Sequence, residues 1–154
     1  MEPVRRTITI DKTTDEVWAE IADFQAIGDF HPYITNVDLN TEHNGGLGSK
    51  RTCYFNDGTT LDEEIIEWRD GESLKINATN FTFPFKVLHG TLGVKEVDGK
   101  SEAFMMMEIV PKFGIIGKLM VGTMIRKMMS KRMDEILRGL DELMSTGQPA
   151  KRAT

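Results

Sequence analysis

The sequence has a single cysteine, Cys53, and nothing near the roughly 18 uninterrupted apolar residues that a membrane span requires. One cysteine excludes a disulfide framework and a metal site built from several cysteines. No apolar run follows the N-terminal Met1-Glu2-Pro3, so a secretory signal peptide is not expected. These absences together predict a cytoplasmic protein.

Motifs for metal binding and nucleophilic catalysis are also missing. His31, His43 and His89 are far apart in the sequence, and no two of them have the spacing of metal ligands. There is no Gly-x-Ser-x-Gly motif, no phosphate-binding loop and no Cys/His couple. We therefore expect neither a metal nor a cofactor.

Positive charge is scarce except near the C-terminus. The chain has 19 Lys and Arg against 24 Asp and Glu, which argues against nucleic acid as a partner. Residues 1–111 hold ten basic against twenty acidic residues, whereas residues 112–144 hold seven against four. The basic stretch is either the solvated face of a helix, which we favour, or a surface for an anionic ligand or membrane. We expect no membrane contact, and a monomer or weak dimer.

The longest periodic pattern runs from Ile115 to about Met144. Apolar residues recur there in steps of three and four, with charged residues between them. The pattern predicts an amphipathic helix of roughly 30 residues, about 45 Å long, whose apolar stripe needs a surface to cover it. The positions expected to be buried are Ile125, Met129, Met133, Ile136 and Leu140.

The preceding chain supplies strands for that surface. Residues 4–10 alternate as in a strand, and a Thr or Asp of residues 11–16 can cap a short helix. A second helical turn, residues 24–30, ends before Pro32. Residues 34–109 show only strand patterns and Asx-Gly turns. We predict an α+β fold, a curved antiparallel sheet of about seven strands around the long C-terminal helix, with two short helices after the first strand.

The turns also predict the register of the strands. A two-residue loop at Asp57-Gly58 would pair Arg51 with Glu64 on the inner face of the sheet. At Asp70-Gly71 either a two-residue or a three-residue loop is possible, and we prefer the latter because it places Ile66, Trp68, Leu74 and Ile76 on one face. A two-residue loop at Asp98-Gly99 unites Leu88, Leu92, Val94, Met105, Met107 and Ile109.

This order of elements resembles the START-like (SRPBCC) superfamily from about Val4 to Ser145. The motifs that carry the resemblance are Phe30-His31-Pro32, Gly48-Ser49-Lys50-Arg51, Glu64-Ile65-Ile66 followed by Asp70, Phe83-Pro84-Phe85, Phe113-Gly114 and Leu137-Arg138-Gly139-Leu140. The resemblance implies the helix-grip fold, which polyketide cyclase/dehydrase-like proteins share with lipid-transfer domains, birch-pollen-type allergens and plant hormone receptors. It also implies a ligand cavity between sheet and helix.

Two positions depart from the pattern of the superfamily. Bacterial relatives often have Trp-His-Pro in place of Phe30-His31-Pro32, and an aromatic residue in place of Leu88. Both positions line the cavity in relatives, so the shape of the ligand does not carry over. A glutamate that matches Glu64 lines the pocket of the hormone receptors, which implies the same role for Glu64.

The Arg51 and Glu64 pair has three possible roles: a structural ion pair, a polar anchor for a ligand, or a general acid/base for which Glu64 is a weak catalytic candidate. The ten methionines are explained equally well by a plain core and by an adaptable cavity lining.

We predict that residues 1–147 form one START-like domain, with a flexible basic tail at 148–154. Its function is expected to be the binding of a small, mostly apolar molecule. The alternatives are a polyketide cyclase or dehydratase that acts in the same cavity and a regulatory, membrane-peripheral protein. The residues expected to line the cavity are Phe30, Arg51, Phe55, Glu64, Ile66, Ile76, Leu88, Met105, Met107, Met124 and Met128.

Overall fold

Seven antiparallel strands form a single sheet in the computed structural model, which describes residues 2–112 and 114–154, with the backbone alone for 115–121. The elements in chain order are strand β1 (Val4–Ile10), helix α1 (Thr14–Ala22), a 3₁₀ turn (Phe24–Ala26), helix α2 (Ile27–Phe30), strands β2 (Ile34–Leu39), β3 (Lys50–Phe55), β4 (Thr60–Arg69), β5 (Ser73–Thr79), β6 (Phe85–Val97) and β7 (Lys100–Pro111), and helix α3 (Ile115–Thr146). The strand order across the sheet is β1-β7-β6-β5-β4-β3-β2. The predicted helix-grip architecture is confirmed.

Helix α1 begins at a capping box, as the Thr and Asp residues before it predicted. The Thr13 hydroxyl accepts a hydrogen bond from the Glu16 amide at 3.1 Å, and the Glu16 carboxylate accepts one from the Thr13 amide at 2.9 Å. The buried face of α1 includes Trp18, whose ring lies 5.1 Å from that of Trp68 on β4. These contacts fix α1 against one end of the sheet.

Helix α3 covers the inner face of the sheet. Ile125, Met133, Ile136 and Leu140 are buried as predicted, and Met129 is half-buried against the core. Gly139 brings α3 close to α2, because a Cβ atom at this position would collide with the carbonyl oxygen of Phe30. Of the residues named in the sequence analysis, Met1, Phe113 and the side chain of Ile115 lie outside the described residues.

Residues after α3 run back along the loop that follows α2. Gly147 ends the helix in the left-handed conformation, with φ of 68°. The Ala150 amide then donates to the Asp29 carbonyl at 2.8 Å, and the Ala153 amide donates to the Pro32 carbonyl at 2.9 Å. The tail therefore lies against α2 and the loop that follows it. The flexibility expected of the tail stays a prediction.

Two of the three hairpin predictions are confirmed. At Asp98-Gly99 both residues have positive φ, Val97 pairs with Lys100, and Leu92 faces Met105. At Asp70-Gly71 the loop has three residues, since Arg69 pairs with Ser73. The prediction for Asp57-Gly58 is wrong: Tyr54 pairs with Thr60, and the loop is one residue longer than assumed.

Candidate functional site

A cavity of about 610 Å³ lies between the inner face of the sheet and helices α2 and α3. Apolar side chains from β3–β7 form one wall, and methionines of α3 contribute to the other. Eight of the eleven residues predicted to line the cavity do so: Phe30, Arg51, Phe55, Ile76, Leu88, Met105, Met107 and Met128. Glu64, Ile66 and Met124 lie elsewhere.

Arg51 is paired with Glu63, and the predicted pairing with Glu64 is wrong. The Phe55 amide donates to the Thr59 carbonyl at 2.9 Å, which leaves three residues in the loop, and Gly58 takes a φ of 85°. One additional loop residue moves the side chains of β4 from Thr60 to Ile65 to the opposite face. The Glu64 side chain is consequently 45% exposed on the outer face, 3.9 Å from the Lys50 ammonium.

A β-bulge explains why Ile66 does not reach the cavity. Ile65 pairs with Ile76 and Glu67 pairs with Lys75, so Ile66 is the additional residue on β4. Ile65 is therefore buried in the core, whereas Ile66 is 36% exposed. The bulge reverses the shift introduced at the preceding loop, which is why Trp68 still packs on the predicted face with Leu74.

Met124 lies beside the apolar stripe of α3. Successive residues of a helix are rotated by about 100°, so a residue directly before a buried position points to its flank. Ile125 is buried, and Met124 is 73% exposed. Met128, one turn further on, is 42% exposed but lies at the edge of the cavity.

The most buried charged group of the cavity is Arg51, which is 5% exposed. Its Nε donates to Glu63 Oε2 at 2.6 Å, a terminal nitrogen lies 2.5 Å from the same oxygen, and the other donates to the Phe24 carbonyl. Its guanidinium carbon also lies over the Phe24 ring, 3.8 Å from the centroid. Among the described residues, no hydrogen bond reaches the second carboxylate oxygen of Glu63, Oε1. Each nitrogen of Arg51 thus has a partner, while Glu63 keeps an acceptor at the cavity wall.

Cys53 lies beside this pair but has no nucleophilic character. Its sulfur is 3.8 Å from Glu63 Oε2. Burial raises the pKa of the thiol, and the negative charge of Glu63 raises it further. Cys53 is therefore a protonated thiol at neutral pH, and nucleophilic chemistry needs the thiolate.

His31 is a second buried polar group that the residue-level sequence analysis did not select. Burial, and then the positive charges of Arg132 and Arg51, lower its pKa to about 3. The Tyr33 amide donates to His31 Nδ1 at 3.3 Å, so the proton of the neutral ring belongs on Nε2. His31 lines the cavity as a neutral hydrogen-bond donor. The signal that could have found it was the Phe30-His31-Pro32 motif.

Tyr33 and Arg132 form the mouth of the cavity. The guanidinium carbon of Arg132, on α3, lies 3.4 Å from the centroid of the Tyr33 ring. The Tyr33 hydroxyl donates to Glu135 Oε2 at 2.8 Å, and this hydrogen bond raises the pKa of the phenol. From the sequence, Arg132 could be assigned only to the basic face of α3. Tyr33 and Arg132 are far apart in the chain, and no local sequence pattern connects them.

Neither a metal cluster nor a membrane-spanning helix occurs in the part of the chain that the structure describes. Its residues contain no group of three or more His, Cys, Asp or Glu side chains that could hold a metal ion. No helix among them is both long enough and apolar enough to cross a membrane.

Several solved structures share this fold. XoxI from Bacillus cereus is 21% identical, with 93% of this chain and 98% of that protein covered and a TM-score of 0.71. TTHA0849 from Thermus thermophilus is 15% identical, with coverage of 95% and 99% and a TM-score of 0.72. Ara h 8.0201 is 14% identical, with coverage of 90% and 97% and a TM-score of 0.64. At these identities the likeness concerns the fold alone.

Among curated proteins, none matches the sequence. A family model does match, over residues 1–145, and its description is "Polyketide cyclase / dehydrase and lipid transport". The match spans all seven strands and nearly all of α3, the elements that enclose the cavity. The chain belongs to the polyketide cyclase/dehydrase and lipid transport family.

Proposed function

We propose that the protein binds a small, mostly apolar molecule, such as a lipid, a polyketide or an aromatic metabolite, in the cavity between the sheet and α3. The observation that carries the proposal is the cavity itself. Its volume of about 610 Å³ falls within the range of about 300–1,000 Å³ that is usual for ligand sites. Membership of a family that includes lipid transport supports a hydrophobic ligand.

The composition of the walls supports the same proposal. Met105, Met107, Met128 and Met129 line the cavity, and unbranched methionine side chains adapt to ligands of varied shape. Glu63 Oε1 can accept a hydrogen bond, and His31 can donate one. We propose that these two groups orient a ligand hydroxyl or carbonyl, a role that takes the place of the one expected of Glu64.

The alternative, a cyclase or dehydratase, requires a group that exchanges protons with the ligand near neutral pH. Glu63 accepts both contacts of the Arg51 pair through Oε2. The pKa of His31, lowered to about 3 by burial, keeps the ring neutral at pH 7 and makes it a weak base. These features favour binding over catalysis. We also propose a cytoplasmic location, which a lone, reduced Cys53 suits.

A matched pair of substitutions on β5 tests the proposal. Ala78 is buried on the inner face opposite Glu63, whereas Asn77 is on the outer face opposite Glu64. Ala78→Phe should fill part of the cavity, and Asn77→Phe should add the same side chain outside it. Titration of a neutral apolar fluorescent dye should give a micromolar Kd, about −8 kcal/mol, for the unmodified protein.

Ala78→Phe should weaken dye binding by about tenfold or more, equivalent to about 1.4 kcal/mol, and Asn77→Phe should leave it unchanged. Urea unfolding of both variants establishes that they remain folded. Absence of saturable dye binding by the unmodified protein, or equal binding by the two variants, would contradict a ligand site in this cavity.

A further inference from the structure

We propose that Arg132, at the mouth of the cavity, binds a carboxylate carried by the apolar ligand. The inference rests on the proposed function and narrows the ligand class to amphipathic acids, with the apolar body inside the cavity and the acid at its edge. Three features of the described residues carry it: the position of the guanidinium, the lack of a carboxylate in direct contact with it, and the contrast with Arg51.

The guanidinium of Arg132 is positioned by Tyr33. Its carbon lies over the Tyr33 ring, 3.4 Å from the centroid, and the Tyr33 hydroxyl is itself fixed by its hydrogen bond to Glu135. A contact with an aromatic ring satisfies the positive charge in part but supplies no oxygen acceptor for the N–H groups. A planar fork of donors matches the two oxygens of a carboxylate. The ring contact therefore places Arg132 at the cavity with its N–H donors still available to a ligand.

Arg132 has no direct partner among the described residues. It forms no ion pair within 4.0 Å and no hydrogen bond with any of them. Asp57 is a counter-charge at longer range, since hydrogen bonds from Thr59 and then the positive charge of Arg132 lower the pKa of its carboxyl. Glu135 accepts from Tyr33 and lies 4.0 Å from Lys131. Asp57 Oδ1, also at the mouth, accepts from the amide and the hydroxyl of Thr59. A positive charge thus remains unpaired beside an apolar cavity.

Arg51, in the same cavity, already has a counter-charge in direct contact. Its nitrogens contact the Glu63 carboxylate and the Phe24 carbonyl, and it is 5% exposed. A ligand anion at Arg51 would compete with the Glu63 carboxylate, whereas one at Arg132 would meet no such competition. Asp57 at the same mouth would repel a dianion more than a monoanion, which favours a carboxylate over a phosphate.

Two probes of equal chain length test the assignment: dodecanoate and dodecanol. Both should displace a neutral dye from the cavity at neutral pH, and only dodecanoate carries a charge. Arg132→Met removes the charge but keeps a long apolar side chain over Tyr33. Lys127→Met is the matched control, because it removes one positive charge from an exposed position of the same helix outside the cavity.

We expect Arg132→Met to weaken dodecanoate by about tenfold and to change dodecanol by less than about twofold. Lys127→Met should leave both affinities unchanged, which separates a local contact from the general field of the helix. Equal effects of Arg132→Met on the two probes, or no effect on either, would overturn the carboxylate site and leave the proposed function intact. Failure of the unmodified protein to bind either probe would overturn both.

Discussion

Single residues of this cavity differ in how completely their polar atoms are paired. Each nitrogen of Arg51 has a partner, Glu63 has partners for one oxygen, and Arg132 contacts the Tyr33 ring but has no carboxylate within 4.0 Å among the described residues. Unpaired polar groups are costly when buried and useful when a ligand reaches them. The polar groups with hydrogen-bonding atoms still available, Glu63 and Arg132, therefore lie at the wall and the mouth of the cavity, where a ligand would contact them.

Prediction of these residues from the sequence reached apolar positions more reliably than polar ones. Leu88 and Met105 follow from the alternation along β6 and β7, because the two-residue loop at Asp98-Gly99 was predicted correctly. Glu64 was chosen over Glu63 by one residue of loop length, and a one-residue shift exchanges the two faces of a strand. Arg132 could not be identified as a site residue from the sequence, because only the fold brings it close to Tyr33.

His31 should make the stability of the protein depend on pH. Burial lowers its pKa to about 3 from an ordinary value near 6.5, so the unfolded chain binds a proton that the folded protein does not. Stability should accordingly fall as pH decreases from about 6.5, by at most about 1.4 kcal/mol per pH unit. Urea unfolding between about pH 7 and pH 4 measures this slope.

His31→Gln should flatten that slope, because glutamine does not titrate, whatever its effect on stability at neutral pH. His43→Gln is the control, since His43 is exposed. Identical slopes for the unmodified protein and His31→Gln would show that the His31 ring is not buried as a neutral group.

At the scale of whole elements, three Asx-Gly turns show what a dipeptide does and does not specify. Asp98 and Gly99 both adopt positive φ, as a two-residue hairpin of type I′ requires. At Asp57-Gly58 and Asp70-Gly71 only the glycine does, and three-residue loops result. The dipeptide Asp-Gly therefore fits both a two-residue and a three-residue loop. The existence of each hairpin was therefore predictable, but its register depended on contacts of the flanking strands.

Glycine has opposite roles at two positions of α3. A Cβ atom at Gly139 would collide with the backbone of Phe30, while one at Gly122 would meet no atom within 4 Å. Gly139→Ala should therefore destabilise the protein by about 1–3 kcal/mol through displacement of α2. Gly122→Ala should stabilise it by up to about 1 kcal/mol, because alanine is the better helix former.

Urea unfolding of the two variants measures this difference. Each variant serves as the control for the other, since both replace glycine by alanine within one helix. A stabilising effect of Gly139→Ala would contradict the close approach of α3 to α2.

At the scale of the whole molecule, α3 covers two different kinds of core. Leu137 and Leu140, in its C-terminal half, are buried and do not border the cavity. Met128, Met129, Met133 and Ile136 line the cavity, and the first two of these side chains are partly exposed. Composition could not separate these two sets of positions, because methionine fills a solid core as readily as it lines a cavity. Only the packing distinguishes them.

The difference between positions of α3 that border the cavity and positions that do not predicts unequal costs for truncation along one helix. Leu140→Ala should destabilise the protein by about 2–5 kcal/mol, because a fully buried side chain leaves a new void. Met129→Ala should cost only about 1 kcal/mol in the ligand-free protein, since Met129 borders a void already and loses few contacts.

An apolar ligand that fills the cavity should raise the cost of Met129→Ala and leave that of Leu140→Ala unchanged. Unfolding free energies with and without a neutral apolar ligand provide the measurement. Equal costs for the two truncations in the ligand-free protein would mean that side chains fill the cavity in solution.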